Sequence, residues 1–567
     1  MKKLVSLSLA LALCMSMLAG CGNNSASTAS TAPGASGAAA AAAAADTGSA
    51  AGTETNAAEG DLDTSKFLKI QDDNPDTVDP QCTTEYYTVA MNIFDRLVEV
   101  KANDDGTSEI VPSLAKSWTV SDDGLTYTFT LNEGVKFSNG ADLTSSDVLY
   151  TIMRMLTYEK AVNDDIYDMI KGAQDVADGK ATELTGFEII DDYNFAITLD
   201  EPYGAFLACL TTPGASIFDE ETTEQAGDQF GIDPAVTIGT GPFTFYGWEF
   251  NAELVLTANK DYWDGAPACD GLILKIIPDE ATARMMFENG ELDILDMDNN
   301  ASQLEYFLNN ETYKDQIVSG VRVGVYYIML NENFTELSDA RVRKALQYSI
   351  DRQAILDSLY AGLGELENGI FPHGLIGYNA DLPEIPYDVD QAKELLAEAG
   401  YPDGFEMELC YNSDASQTTK DLLEIVAAYW AEIGVTAKVT EVDEGSFYDM
   451  RAAGELETYT SSWSADFNDP DNFIYSFFGN EDNITRRGIG YSNKEAIARV
   501  AAARAIVDED ERIAEYQDLE KLIIQDDAAW VPLFSKQHLF VVNPRVSGFK
   551  VSWNGWSGNY YRNVSVS

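Results

Sequence analysis

Asp339-Ala340-Arg341-Val342-Arg343-Lys344-Ala345-Leu346-Gln347-Tyr348-Ser349-Ile350-Asp351-Arg352-Gln353-Ala354-Ile355-Leu356-Asp357-Ser358-Leu359-Tyr360 places Val342, Leu346, Ile350, Leu356 and Leu359 on one helical stripe. Tyr127 to Leu131 and Phe195 to Leu199 instead alternate apolar with polar residues and are closed by turn residues, the pattern of half-buried strands. Segments of both kinds alternate along the body, so the fold class is α/β, with mixed α+β lobes. Hairpin-like strands concentrate in the first half and helices between about 339 and 435, which predicts lobes of different character. Some 500 residues of body imply two or three domains. The stripe from Val342 to Tyr360 reads as packed core rather than as a site.

The N-terminus has a basic start at Lys2 and Lys3, an apolar run from Leu4 to Leu13, and small residues before a cysteine in Leu18-Ala19-Gly20-Cys21. This is the pattern of a secretory signal over residues 1–20. Its end resembles the lipobox of bacterial lipoproteins, which implies lipidation of Cys21 and attachment to the membrane surface by acyl chains. Residues 21–60 are nearly all Asn, Ser, Ala, Thr and Gly, with unbroken alanine from Ala38 to Ala45, and read as a flexible tether. The folded body is expected from about Leu62, on the extracytoplasmic face of the cell membrane.

The formal charge is −58, becoming −60 once a leader with two lysines and no acid is removed. Such a chain offers no basic face for phosphates, which excludes nucleic acid as a partner. Cys82, Cys209, Cys269 and Cys410 are too far apart for a CxxC metal or redox pair, and leave open one or two disulfides or buried thiols. Only His373 and His538 are present, so there is no HExxH pair and little material for a Ser-His-Asp triad. GxSxG and Walker A motifs are absent, and Gly239-Thr240-Gly241-Pro242 is too short for a dinucleotide loop. The expectation is a protein that is not an enzyme and carries no metal or cofactor.

A series of blocks then appears in order: Asp76-Thr77-Val78-Asp79-Pro80; Pro112-Ser113-Leu114-Ala115 with Trp118; Gly134-Val135-Lys136-Phe137-Ser138-Asn139-Gly140; Asn259-Lys260-Asp261-Tyr262-Trp263; Phe287-Glu288-Asn289-Gly290-Glu291-Leu292-Asp293; and Trp463-Ser464-Ala465-Asp466-Phe467-Asn468-Asp469-Pro470. In this order they resemble the extracytoplasmic solute-binding proteins of the peptide/nickel ABC-transporter family. The resemblance implies a two-lobed periplasmic-binding-protein-like fold with an extra inserted domain and a ligand cleft between the lobes. It implies an N-terminal lobe over 61–320 with an inserted subdomain at about 107–235, a C-terminal lobe over 321–530, and a return to the first lobe over 531–567. Hinges are expected near 235, 320 and 530. The implied role is capture of peptides for an ABC permease and its ATPase subunits by a monomer. The same fold also serves oligosaccharides, nickel chelates and opines.

The pattern Trp-x-x-Asp-x-x-x-Pro puts Asp466 at the position that meets a peptide's α-ammonium in peptide-binding relatives, with Trp463 as a wall or stacking residue. On residues alone, Asp466 also suits an Asx-type turn. The segment from Gly324 to Asn331, with Tyr326 and Tyr327, resembles a strand able to pair with peptide amides, and its side chains equally suit an ordinary buried strand. Gly239 to Gly241 is a turn in which Gly241 could present backbone groups to a ligand. Some relatives carry an arginine six residues before the cleft aspartate, suited to a peptide carboxylate. Here that position is Thr460, and Arg451, Arg486 and Arg487 are nearby basic residues with no assigned place.

Overall fold

The strand Gly271–Ile276 opens with Gly271-Leu272-Ile273-Leu274, apolar without alternation as expected of a strand covered on both faces, and these four residues are buried. It pairs in parallel with Phe67–Asp72 and antiparallel with Glu253–Ala258, which in turn pairs with Phe243–Glu249. The computed structural model describes residues 62–103, 108–163, 166–555 and 558–567. The signal, Cys21 and the tether lie outside these residues. Among those described, no helix is long and apolar enough to cross a membrane.

A second sheet region is built on Gly324–Leu330, flanked by Thr458–Ser464, Glu406–Asn412 and Thr436–Val442. One strand, Trp530–Val542, joins the two regions. As far as Lys536 its partners are Tyr326–Met329 and Gly364–Leu366; from Gln537 they are Ile317–Val321 and Ile294–Asp296. The lobes therefore share this strand rather than meeting at its start.

The alternation at Thr126–Leu131 behaves as its period predicts: Tyr127, Phe129 and Leu131 are buried and the intervening threonines are half-exposed. The strand is central in a four-stranded antiparallel sheet with Ala115–Val120, Asn194–Thr198 and Phe187–Asp191, and Phe129 stacks on Phe195 across the ladder at 5.2 Å. This sheet packs on the helix Ser145–Thr157 to give a core of its own.

The helical stripe divides into two helices, Ala340–Tyr348 and Arg352–Tyr360. Asp351 causes the break, because its carboxylate accepts the Ala354 N–H and starts a second helix. Val342, Leu346, Ile350 and Leu356 all reach the core. Helices do not stop near 435 but continue to Glu520, where Asp471–Phe478, Lys494–Ala503 and Glu509–Glu520 cover one face of the second sheet. No two cysteines are bridged among the described residues.

Two of the sequence blocks act as fasteners. Asp79 is buried and pairs with Arg154 of the subdomain helix at 2.6 Å, tying the first lobe to the inserted sheet. Asp95, also buried, accepts from the Thr240 hydroxyl at 3.0 Å, the Tyr262 hydroxyl at 2.9 Å and the Trp263 indole at 2.9 Å. A buried carboxylate must be matched in this way, since an unmatched one costs several kcal/mol.

Candidate functional site

The strand Thr458–Ser464 ends at a cavity of about 1070 Å³ between the inserted subdomain and the second lobe. That volume is at the upper end of what small-ligand sites use. The loop after the strand is shaped by its own side chains. Asp466 donates its N–H to Asn472 Oδ1 at 3.0 Å and accepts from Asn472 Nδ2 at 3.0 Å, so one amide aims the carboxylate. Asn468 accepts the Ile376 N–H at 2.9 Å. Asp469 accepts the Asp471 N–H at 3.0 Å and pairs with Arg512 at 2.7 Å. Pro470 then starts the helix Asp471–Phe478, whose Phe473, Ile474, Phe477 and Phe478 fill the core beneath.

Trp463 stands next to this loop. Its indole N–H donates to the Asn472 carbonyl at 3.0 Å, its ring meets Phe477 edge-on at 5.5 Å, and the Arg487 guanidinium lies 4.4 Å from the ring centroid. Trp463, Asp466, Asn472, Arg486 and Arg487 all line the cavity. The opposite wall comes from the subdomain and carries the exposed acids Asp168, Asp200 and Glu201. Burial, reinforced by the like charges of Arg451 and Arg486, pulls the Arg487 guanidinium below its ordinary pKa, although Tyr327 and Tyr459 act in the other direction.

The two walls touch at Asp471. This buried carboxylate accepts from the Tyr203 hydroxyl of the subdomain at 2.8 Å and from the Tyr516 hydroxyl at 2.8 Å, and pairs with Arg504 at 3.2 Å. The Arg504 guanidinium also lies over the rings of Tyr475, at 3.8 Å, and Tyr203, at 4.4 Å. Burial beside Asp471 drives the Tyr203 hydroxyl well above its ordinary pKa, so it stays a donor. Residues 203 and 471 are far apart in sequence, and no local pattern announces their meeting.

Three of the expected ligand residues do not reach the cavity. Tyr327 is a core side chain, stacked on Trp530 at 4.3 Å and 1% exposed. Tyr326 packs on Phe534 at 5.4 Å with the Lys536 ammonium above its ring. Their strand is central: Thr458–Ser464 occupies one edge and Trp530–Phe534 the other, so no edge is open for a peptide along Tyr326 to Met329. Gly241 is buried against the backbone of Ile93. Its N–H donates to the Ile93 carbonyl at 2.9 Å and its carbonyl accepts from Asn259 at 3.0 Å, so both backbone groups serve the fold. A Cβ at Gly241 would sit 2.5 Å from the Ile93 carbonyl carbon. Gly241→Ala should therefore cost about 1–3 kcal/mol in urea unfolding, as overpacking does, with ligand affinity unchanged.

Thr460, six residues before Asp466, is buried with its hydroxyl on the Tyr327 carbonyl at 3.2 Å. Neither histidine lines the cavity: His373 bonds Glu367 at 3.0 Å and His538 bonds Asp296 at 2.7 Å. Among the described residues no cluster of three His, Cys, Asp or Glu is arranged to hold a metal.

Two unlike lobes sharing a crossing strand, with a chargeable, aromatic-lined cavity between them, define a solute-binding protein of the two-lobed class. The chain belongs to a family of that class, since the family described as "Bacterial extracellular solute-binding proteins, family 5 Middle" matches residues 109–484. The heme-binding protein A of Haemophilus influenzae is 30% identical over 491 residues, covering 84% of this chain and 88% of that protein. The dipeptide-binding protein of Escherichia coli is 29% identical over 520 residues, covering 87% and 93% respectively. The solved structure of HbpA2 from Haemophilus parasuis matches with a TM-score of 0.75 at 30% identity, covering 88% of this chain and 99% of that one.

Proposed function

We propose that this protein is the substrate-binding component of an ABC importer, capturing short peptides between its lobes for a membrane permease, with Asp466 receiving the α-ammonium and Trp463 walling the site. The observation that carries the reading is the carboxylate of Asp466 on the cavity wall, held by the reciprocal Asn472 bonds. A reader of many peptides must grip what all of them share. An ammonium on an aimed carboxylate gives a charge-assisted hydrogen bond of about 1.5–3 kcal/mol. The relative named for dipeptides, aligned over most of the chain, supports the same class of ligand.

Capture requires the lobes to close on the ligand, and the segments that flex are those crossing between them, including the strand Trp530–Val542. The protein works as a monomer and does no chemistry on what it carries. It is held at the extracytoplasmic membrane surface by lipid on Cys21. The mass of the mature N-terminal peptide tests the anchor: diacylated cysteine is expected, and an unmodified Cys21 would remove it.

Native mass spectrometry of the purified protein, followed by denaturation and sequencing of what is released, tests the ligand. Copurified peptides with free N-termini are the expected result. A protein that takes up hemin, an oligosaccharide, an opine or a nickel chelate but no peptide would keep the transport role and overturn the Asp466 assignment.

A further inference from the structure

Acids outnumber bases 94 to 36 in this chain, so a buried guanidinium ordinarily finds a carboxylate. Arg154 has Asp79 at 2.6 Å, Arg343 has Glu332 at 3.0 Å, and Arg512 has Asp469 at 2.7 Å. Arg487 is different. Among the described residues no carboxylate lies within ion-pair distance of it; its Nε, like that of Arg512, is buried with no hydrogen-bond partner. The charges acting on it from nearby include two further arginines, Arg451 and Arg486, and the Arg451 Nε is likewise buried without a partner. Three clustered cations in an acidic protein repel one another, and the aromatic rings that hold Arg487 and Arg451 supply no counter-charge.

The cluster has the form of a receiving site. Arg487 is half-buried, and its guanidinium lies 4.4 Å from the Trp463 ring centroid and 4.7 Å from that of Phe477. Its main chain is fixed by the Tyr459 hydroxyl, which donates to the Arg487 carbonyl at 2.6 Å. A guanidinium lodged on aromatic rings keeps its planar donor edge for a carboxylate, which it can grip with two parallel hydrogen bonds. Arg486, exposed on the same cavity wall, adds a second cation. Trp463 links this cluster to Asp466, since its ring carries Arg487 while its indole N–H is tied to Asn472, the residue that aims Asp466.

We infer that Arg487, assisted by Arg486, binds the carboxylate of the solute, so that the cavity selects short zwitterions carrying both a free amine and a free carboxylate. The inference rests on the peptide reading above and adds to it a specificity residue, on the helix end after Asp471–Phe478 and not at Thr460. Two opposite grips coupled through one tryptophan favour short peptides over long ones, whose carboxylate would lie beyond Arg487.

Calorimetric titration of the purified full-length protein in detergent with trialanine, trialanine C-terminal amide and N-acetyl-trialanine separates the two readings. Trialanine is expected to bind on the order of 30-fold or more tighter than its amide, the loss seen when one side of a desolvated charge pair is removed. Arg487→Gln should abolish this preference, and Arg487→Lys, which keeps the charge without the fork, should restore part of it. If the amide binds the parent as well as the free acid, the carboxylate inference is overturned while the peptide reading stands, and this comparison needs no variant to fold. Discrimination retained in Arg487→Gln overturns it too. If N-acetyl-trialanine binds as well as trialanine, the Asp466 reading fails and the carboxylate site survives. Binding by none of the three removes both.

Discussion

Asp466→Ala is expected to weaken binding of a free-amine peptide by about 2–5 kcal/mol, the cost of truncating one partner of a hydrogen-bonded charge pair. Asp466 is exposed at the cavity wall and carries none of the core, so the unfolding transition should barely move. The carboxylate also holds the Asn472 side chain at 3.0 Å, and that contact must be separated from the charge. Asp466→Asn makes the separation: it can keep a hydrogen bond to Asn472 but removes the anion. Calorimetry should therefore show both variants losing the preference for a free over an acetylated N-terminus. Should Asp466→Asn bind trialanine like the parent, the carboxylate only shapes its turn, and the ammonium is held elsewhere.

Periodicity and punctuation carried most of the fold into view. Tyr127, Phe129 and Leu131 alternate because one face of their strand is buried, and Val342, Leu346 and Ile350 recur at helical spacing because one stripe is. What periodicity cannot show is which strands lie beside a strand. Tyr326 and Tyr327 fit a ligand-facing edge and a central strand equally well, and only the pairing of Gly324–Leu330 on both sides decides for the second. Gly241 reads as a turn glycine in either role, and the close approach of Ile93, about 150 residues away, gives the reason for it.

At the site, Asp466 and Trp463 were legible because a local motif carries them, and both line the cavity. The Tyr203–Asp471–Arg504 junction was not, because its members come from separate elements and none belongs to a pattern that needs the others. Arg486 and Arg487 had one visible signal, two consecutive arginines in a strongly acidic chain. Their meaning depends on partners that folding withholds, which a linear sequence does not express.

The larger expected effect on stability lies beneath the site, at Arg512. Its Nη2 pairs with Asp469 at 2.7 Å, both side chains are 4% exposed, and Asp469 in turn receives the Asp471 N–H that opens the helix Asp471–Phe478. Arg512→Met removes the cation and leaves a buried carboxylate, for which a loss of about 3–5 kcal/mol in urea unfolding at pH 7.5 is expected. Burial already pushes the Asp469 pKa up to about 6 against the opposing pull of Arg512, and without the arginine it must rise further. A carboxyl with a folded pKa above its unfolded value binds more protons when folded. Its contribution is complete below the unfolded pKa and is lost as pH rises through the folded one. The variant should therefore recover stability relative to the parent as pH falls from 7.5 toward 5, when Asp469 takes up a proton in place of its lost partner. Asp469→Asn combined with Arg512→Met should regain much of the loss at pH 7.5, because replacing both members of a buried pair is often close to neutral. Equal instability of the single and double variants, with no pH dependence, would place the cost in the packing of the Arg512 side chain and not in the orphaned charge.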